Sequence, residues 1–196
     1  MGKHTNFLPI VDKGKQALKT VLVILTDGFE EIETVAPIDL LRRAGAQVTL
    51  ASCTDSLEVT GKCAVVMKAE ASLDDCLAND YDLLVLPGGP GTFDLRKDDR
   101  VLELVRSRHA AGLPQAAICA APLILLDAGI LTGKTYTAHF TCADELPEIR
   151  EDLAVVEDEE IITSRGAGTA VAFGLRLVAL LFGEEKANEI AASIHA

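Results

Sequence analysis

The chain contains no tryptophan, and aromatic residues make up only 4 % of its 196 positions. With 49 % hydrophobic residues overall, the core must be built from Ala, Val, Leu and Ile. That is the composition of layered α/β folds, whose parallel strands are buried on both faces and rich in branched aliphatics. Nowhere do Lys and Arg gather into a block, and 30 acidic against 18 basic residues leave a net charge of −12. Nucleic acids and anionic membranes both demand a basic footprint, so neither is expected as a partner. Cys-x-x-Cys is also missing: Cys53, Cys63, Cys76, Cys119 and Cys142 are odd in number and scattered. This pattern argues against a disulfide framework or a metal site and for a reduced, cytoplasmic protein. The longest apolar helical stretch, Val171–Phe182, is interrupted by Arg176 and is too short to span a bilayer. Met1–Leu18 has no long apolar run and no Arg, so neither a secretory leader nor a transit peptide is expected. Residues 1–19 read as a flexible extension ahead of a single domain, residues 20–196.

The first pronounced signal is Thr20–Thr26 (TVLVILT), a continuous β-branched run that reads as a buried strand. Asp27-Gly28-Phe29 makes a turn, and Ile32, Val35, Ala36 and Leu40 recur at helical spacing over Glu30–Ala44. Glu30 and Glu31 suit the first turn of that helix and Arg42 and Arg43 the last; Gly45 ends it, and Pro37 is expected to kink it. Gln47–Ala51 is the second strand, which completes a right-handed strand–helix–strand unit. The theme returns with a strand at Asp82–Leu86, a helix at Asp99–Ala111, a strand at Gln115–Ile118 and a helix running to Ala128. Glu58–Ala69 holds a Gly61 turn between β-prone runs, a small hairpin. Short strands are expected at Thr135–Ala138 and Ala154–Val156, with Ile161–Thr163 pairing to the latter, and helices at Thr169–Phe182 and Glu184–His195. The alternation predicts an α/β fold: a flavodoxin-like, doubly wound, mostly parallel sheet with helices on both faces. Such sheets bind ligands at the carboxyl ends of their strands. That rule selects Thr26–Glu33, Leu86–Phe93, Ile118–Pro122 and the segment around His139.

Within those loops, Ala116-Ala117-Ile118-Cys119-Ala120-Ala121-Pro122 carries apolar residues straight into a thiol, then small residues and a proline suited to a first helical turn. One reading is a nucleophile on a strand-to-helix elbow, with the helix N-terminus lowering the thiol pKa. The other is a buried core cysteine, since free Cys is among the most buried residue types. Leu86-Pro87-Gly88-Gly89-Pro90-Gly91 is either an oxyanion hole of converging backbone N–H groups or a generic turn. Glu33, one turn beyond Glu30, can enter the same crevice; beside a thiol it would have to be protonated, donating a hydrogen bond to Cys119. Glu30 and Glu31 need only favour the helix dipole. His139 is either a general base and thiolate partner or a turn histidine.

Five motifs together resemble the ThiJ/PfpI superfamily, and specifically its parkinsonism-associated protein deglycase branch. They are DGFEEIETVAPIDLLRRAG (27–45), LPGGPG (86–91), AAICAAP (116–122), the AH pair (138–139) and TSRGAGT (163–169), in the family order from Thr20 to about Ala192. The resemblance implies a flavodoxin-like homodimer with Cys119 on a nucleophile elbow. It implies that Glu33 is a protonated glutamate that hydrogen-bonds the cysteine and stabilises its sulfinate form. Gly88 and Gly89, with Ala120, match the backbone donors beside the thiol, and His139 matches the branch's histidine. Ser164, Arg165 and Gly166 fall in the motif behind the active site. No cofactor and no metal are implied. Three departures matter: Ala120 stands where protease-type members carry a histidine, Ala121 replaces a common glycine, and no arginine matches around Gly61–Val65.

The function these features imply is glutathione-independent glyoxalase or protein deglycase activity, a Cys119 thiol adding to small dicarbonyls or to glycated protein side chains. The alternative is an oxidative-stress sensor or redox-regulated chaperone acting through the Cys119 sulfinate. A cysteine protease ranks last, because Ala120 removes the adjacent base.

Overall fold

Thr20–Leu25 forms β1, and its side-chain alternation sets the layers of the molecule. Val21, Val23 and Leu25 enter one core, Leu22 and Ile24 the other, and all five are fully buried. A strand covered on both faces has no solvent side, so it shows no polar alternation in the sequence. In this computed structural model, residues 18–196 are described. The expected extension, residues 1–19, lies outside them except for its last two positions.

From β1 the chain enters α1 (Glu31–Ala44), β2 (Gln47–Ser52), a small antiparallel hairpin of β3 (Glu58–Thr60) and β4 (Val66–Lys68), then β5 (Ala71–Ser72) and α2 (Leu73–Cys76). Next come β6 (Leu83–Leu86), α3 (Thr92–Leu95), α4 (Asp99–Ala110), β7 (Gln115–Ile118) and α5 (Pro122–Asp127). The chain closes with β8 (Val155–Asp158), β9 (Ile161–Ser164), α6 (Ala170–Phe182) and α7 (Glu184–Ser193). Seven strands form one sheet in the order β5-β2-β1-β6-β7-β9-β8, parallel throughout except for the β8–β9 pair at one edge. This is the α/β, flavodoxin-like, mostly parallel sheet that the alternation of elements implied.

One core packs α1, α6 and α7 on the sheet through Ile38, Leu41, Phe173, Leu177 and Ile190. The other packs α2, α4 and α5 through Leu73, Val101, Val105, Leu123 and Ile124. On the first face α6 approaches α1 closely because Gly174 has no side chain: a Cβ there would lie 2.6 Å from Leu40 Cδ1 and 3.0 Å from Pro37 Cα. α1 runs unbroken through Pro37 from an N-cap at Glu30 to Gly45, whose positive φ of 99° ends it.

Two expectations from the sequence need correction. Thr135–Ala138 joins no sheet, because its backbone donors bond side chains: Thr135 N–H to Asp158 Oδ2 at 2.7 Å and Thr137 N–H to Thr163 Oγ1 at 2.9 Å. The helix after Ile118 is also shorter than expected, beginning at Pro122 and ending at Asp127. Two single-turn helices, α2 and α3, and the two-residue β5 carry no sequence signal, since none is long enough to show a hydrophobic period.

Candidate active site

Cys119 follows β7 directly with φ +65°. A side-chain-bearing residue pays roughly 1–2 kcal/mol for the left-handed region, so this conformation persists only where its surroundings hold it. Here the Cys119 N–H donates to Ser164 O at 2.9 Å, its carbonyl accepts from His139 N–H at 2.9 Å, and Ala121 N–H closes the turn onto Ile118 O at 3.0 Å. The effect is to turn the side chain out at the carboxyl end of the sheet, into a half-buried position.

Glu33 reaches the same point from α1 and is 1 % exposed. Its backbone is set by Glu30, whose Oε2 caps the helix by accepting from Glu33 N–H at 2.8 Å. Its carboxylate Oε2 accepts from Gly88 N–H at 3.1 Å, and its carboxyl is hydrogen-bonded to the Cys119 thiol. Gly88 has to be glycine, because a Cβ would fall 2.5 Å from Glu33 Oε2 and 2.6 Å from Cys119 Cβ. Gly89, at φ +102°, and Ala120 direct their N–H groups at the Cys119 sulfur. Gly88 therefore holds the acid, while Gly89 and Ala120 flank the thiol. At Gly166 the three side chains converge: a Cβ there would lie 3.4 Å from His139 Cδ2, 3.6 Å from Glu33 Oε1 and 4.0 Å from Cys119 Sγ.

Burial pushes the Glu33 carboxyl up from 4.5 to about 7, with the nearby Glu30 charge adding to the rise; the contacts with Cys119, Gly88 and Lys62 pull it part-way back. Burial also pushes the Cys119 thiol up to about 12, and the charge and hydrogen bond of Glu33 add to this. This differs from the sequence expectation of a thiol lowered by a helix N-terminus. α5 begins only at Pro122 and spans six residues, and the N–H groups of Ala120 and Gly89 oppose burial without overcoming it. Two buried acids in contact do not both ionise, so the pair retains one proton through neutral pH.

The remaining candidates are less intimate with the sulfur. His139 touches the Cys119 backbone through its N–H, while its Nδ1 is engaged by Thr141 Oγ1 at 2.8 Å. Ser164 supports the elbow through its carbonyl, and its hydroxyl bonds Ala154 O at 2.8 Å. Arg165 does not line the Cys119 cavity: its Nη1 donates to Glu151 O, and it lines a neighbouring cavity of about 590 Å³ that shares His139. Cys119 itself opens onto a cavity of about 380 Å³ whose walls include Lys62, Phe93, Leu123, His139, Cys142 and Glu145.

The DJ-1/PfpI family profile matches residues 19–180, which include the Cys119 elbow, Glu33 and Gly166. The chain belongs to the DJ-1/PfpI family. Among solved structures of that family, Drosophila melanogaster DJ-1beta superposes with a TM-score of 0.88 at 37 % identity, covering 91 % of this chain and 98 % of that one. Oxidized Toxoplasma gondii DJ-1 superposes with a TM-score of 0.85 at 33 % identity, covering 90 % and 97 %. A curated relative from Caenorhabditis elegans, named glutathione-independent glyoxalase DJR-1.2, is 34 % identical over 89 % of this chain and 95 % of its own length. Against the Arabidopsis thaliana DJ-1 homologs B and A, the chain spans only 40 % and 44 % of the relatives' length.

Several residues of this DJ-1/PfpI site are not singled out by the sequence. Glu30 is the buried N-cap that places Glu33 and raises its pKa, a role concealed by its resemblance to an ordinary first-turn glutamate. Lys62 arrives from the β3–β4 turn, with Nζ 4.0 Å from Glu30 Oε1. Its approach is fixed by Lys62 N–H donating to Phe29 O at 2.9 Å. Phe93 and Cys142 join the cavity from segments with no periodic signal.

Proposed function

We propose that the protein is a glutathione-independent glyoxalase that converts methylglyoxal or glyoxal to the hydroxy acid, with Cys119 as nucleophile and Glu33 as proton carrier. The observation that carries this reading is the contact between a thiol on a strained elbow and a buried carboxyl that titrates at about 7. Such a carboxyl can give and take a proton at neutral pH. In the first step the sulfur bonds to the aldehyde carbon of methylglyoxal as the thiol proton passes by way of Glu33 to the aldehyde oxygen, giving a hemithioacetal. Glu33 then removes the hydrogen of that carbon as a proton and returns it to the neighbouring carbon, while the hydroxyl proton of the hemithioacetal passes to the former ketone oxygen, leaving a thioester beside a new hydroxyl. Water cleaves the thioester, and lactate leaves with the thiol restored. The N–H groups of Gly89 and Ala120 flank the sulfur, and in this reading they donate to the substrate oxygen as negative charge builds on it.

The name of the C. elegans relative supports this choice. Deglycase activity would use the same thiol on an early glycation adduct. Chromatography of lactate formed from methylglyoxal without glutathione tests the reading: the wild type forms it and Cys119→Ala does not, and equal turnover by both would refute it. Repeating the assay on a glycated peptide while trapping free methylglyoxal separates the two substrate classes.

A second reading is favoured by the same contact. Glu33 and the Gly89 and Ala120 N–H groups offer hydrogen-bond partners to a Cys119 sulfinate, as a peroxide sensor requires. We also propose a homodimer. Ile32 and Val35 on α1 are 55 % and 47 % exposed, and Val65 and Val66 of the hairpin are 49 % and 57 % exposed. Cys63 N–H donates to Glu31 Oε1 at 2.6 Å, which holds the hairpin turn against α1, and in this reading the exposed apolar residues of both receive a second copy. Five unpaired cysteines suit a reducing compartment such as the cytoplasm. Among the described residues, no helix is long and apolar enough to cross a membrane.

A further inference from the structure

Arg96 follows the last residue of α3, and its side chain is only 14 % exposed. Its Nε and Nη2 donate to Asp127 Oδ2 and Oδ1 at 2.6 and 2.9 Å. Its Nη1 and Nη2 donate to Glu145 Oε1 and Oε2 at 2.9 and 2.6 Å. One planar guanidinium thus makes two forks onto two carboxylates, the geometry in which an arginine–carboxylate pair is strongest and lysine is no substitute.

The three segments joined at this point line the Cys119 cavity together with Lys62 of the β3–β4 turn. α3 continues the Gly88–Gly91 turn, and Asp127 ends α5, the helix that grows out of the Cys119 elbow. Glu145 lies on the cavity wall, in the stretch that also carries His139 and Cys142. That stretch has little regular structure of its own, a single 3-10 turn at Phe140–Cys142. At one end it is tied to the elbow by His139 N–H on Cys119 O at 2.9 Å, and near the other by Glu145 on Arg96. The charges are felt inside the wall: burial raises the Cys142 pKa, the Glu145 charge adds to this and the Arg96 charge opposes it. Without Arg96, Asp127 and Glu145 would face each other as unpaired like charges and push the wall outward.

We infer that Arg96 is a positioning residue of the active-site cavity. It fixes the wall bearing His139 and Cys142 against the elbow bearing Cys119, and so governs how firmly the cavity holds a substrate. The inference rests on the proposed use of this cavity for catalysis. The thiol itself lies outside its reach, because its burial and its separate contacts with Glu33, Gly89 and Ala120 set the sulfur's protonation.

The test compares wild type with Arg96→Ala, Arg96→Lys and Glu145→Gln. Glu145→Gln keeps the fork to Asp127 and loosens only the wall, so it remains informative if Arg96→Ala folds poorly. Expected are a KM for methylglyoxal raised about 5-fold in Glu145→Gln and about 10-fold in Arg96→Ala, with kcat within about twofold and Arg96→Lys falling between wild type and Arg96→Ala. Hydrogen exchange should quicken across residues 139–146, while the pH midpoint of Cys119 alkylation by iodoacetamide stays in place. Unchanged KM and exchange with only a lower Tm would overturn the inference, as would a shifted alkylation midpoint. If the wild type does not turn over methylglyoxal, the glyoxalase reading fails by itself. The exchange rates and the alkylation of Cys119 by a bulky maleimide then decide on Arg96, with unchanged rates for both overturning its role.

Discussion

The Glu33 carboxyl and the Cys119 thiol are hydrogen-bonded to each other across the carboxyl end of the sheet, one delivered by the first turn of α1 and the other by the elbow after β7. Burial raises the pKa of both, and their contact pulls Glu33 part-way back while pushing Cys119 higher. The pair therefore behaves as one titrating unit, whose proton and supporting backbone are both open to measurement.

The stability of the fold should depend on pH through Glu33. A carboxyl raised from 4.5 to about 7 keeps its proton in the native state at pH values where the unfolded chain has lost it. Its contribution is thus fully present below the ordinary pKa and is lost as pH rises through the native one. Glu33→Gln removes that loss. Urea denaturation should show the variant gaining stability relative to wild type between pH 4.5 and 8, by an amount on the order of 3 kcal/mol. A difference that stays constant with pH would contradict the raised carboxyl.

Backbone strain at the elbow gives a second prediction. Cys119 occupies φ +65°, which glycine adopts freely and alanine does not. Cys119→Gly should therefore be more stable than Cys119→Ala by about 1 kcal/mol, the reverse of the order expected at an unstrained site. Denaturant midpoints of the two inactive variants decide this.

Gly88 packs against both Glu33 and Cys119, and Gly88→Ala tests that approach. The new methyl group would lie 2.5 Å from Glu33 Oε2, so acid and thiol must separate. A displacement near 1 Å in a reacting pair costs about 100-fold in rate. Turnover of methylglyoxal should fall by about that factor in a variant whose circular dichroism remains native.

The apolar surface on α1 predicts the oligomeric state. Val35→Glu places a charge one helical turn from Ile32 on the exposed side of α1. Sedimentation velocity should show wild type as a dimer and the variant shifted toward monomer, and a monomeric wild type would contradict the proposed partner.

Much of the fold is legible in the sequence because its signals are local. β6 is apolar throughout and β1 and β7 are apolar after a polar first residue, as strands covered on both sides are, and the ends of α1 are marked by Glu30 and Gly45. Thr135–Ala138 misleads for an equally physical reason: TYTA is β-prone, yet its donors find Asp158 and Thr163 side chains instead of a neighbouring strand. At the site, the glycine turn and Cys119 are visible as motifs. The pKa of the thiol is not, because it depends on how deeply the sulfur is buried and on its contact with Glu33 across the sheet. Arg96 is invisible for the same reason, since its partners Asp127 and Glu145 lie 31 and 49 residues away in the chain.

The most direct test of the Cys119–Glu33 account is the pH dependence of kcat/KM for methylglyoxal conversion to lactate without glutathione. Wild type should gain activity through a midpoint near the Glu33 value of about 7, as the pair sheds its first proton, and then level off. In Glu33→Gln that inflection should vanish and activity should fall at least about 100-fold. An inflection near neutrality that survives Glu33→Gln, or turnover that survives Cys119→Ala, would contradict the account.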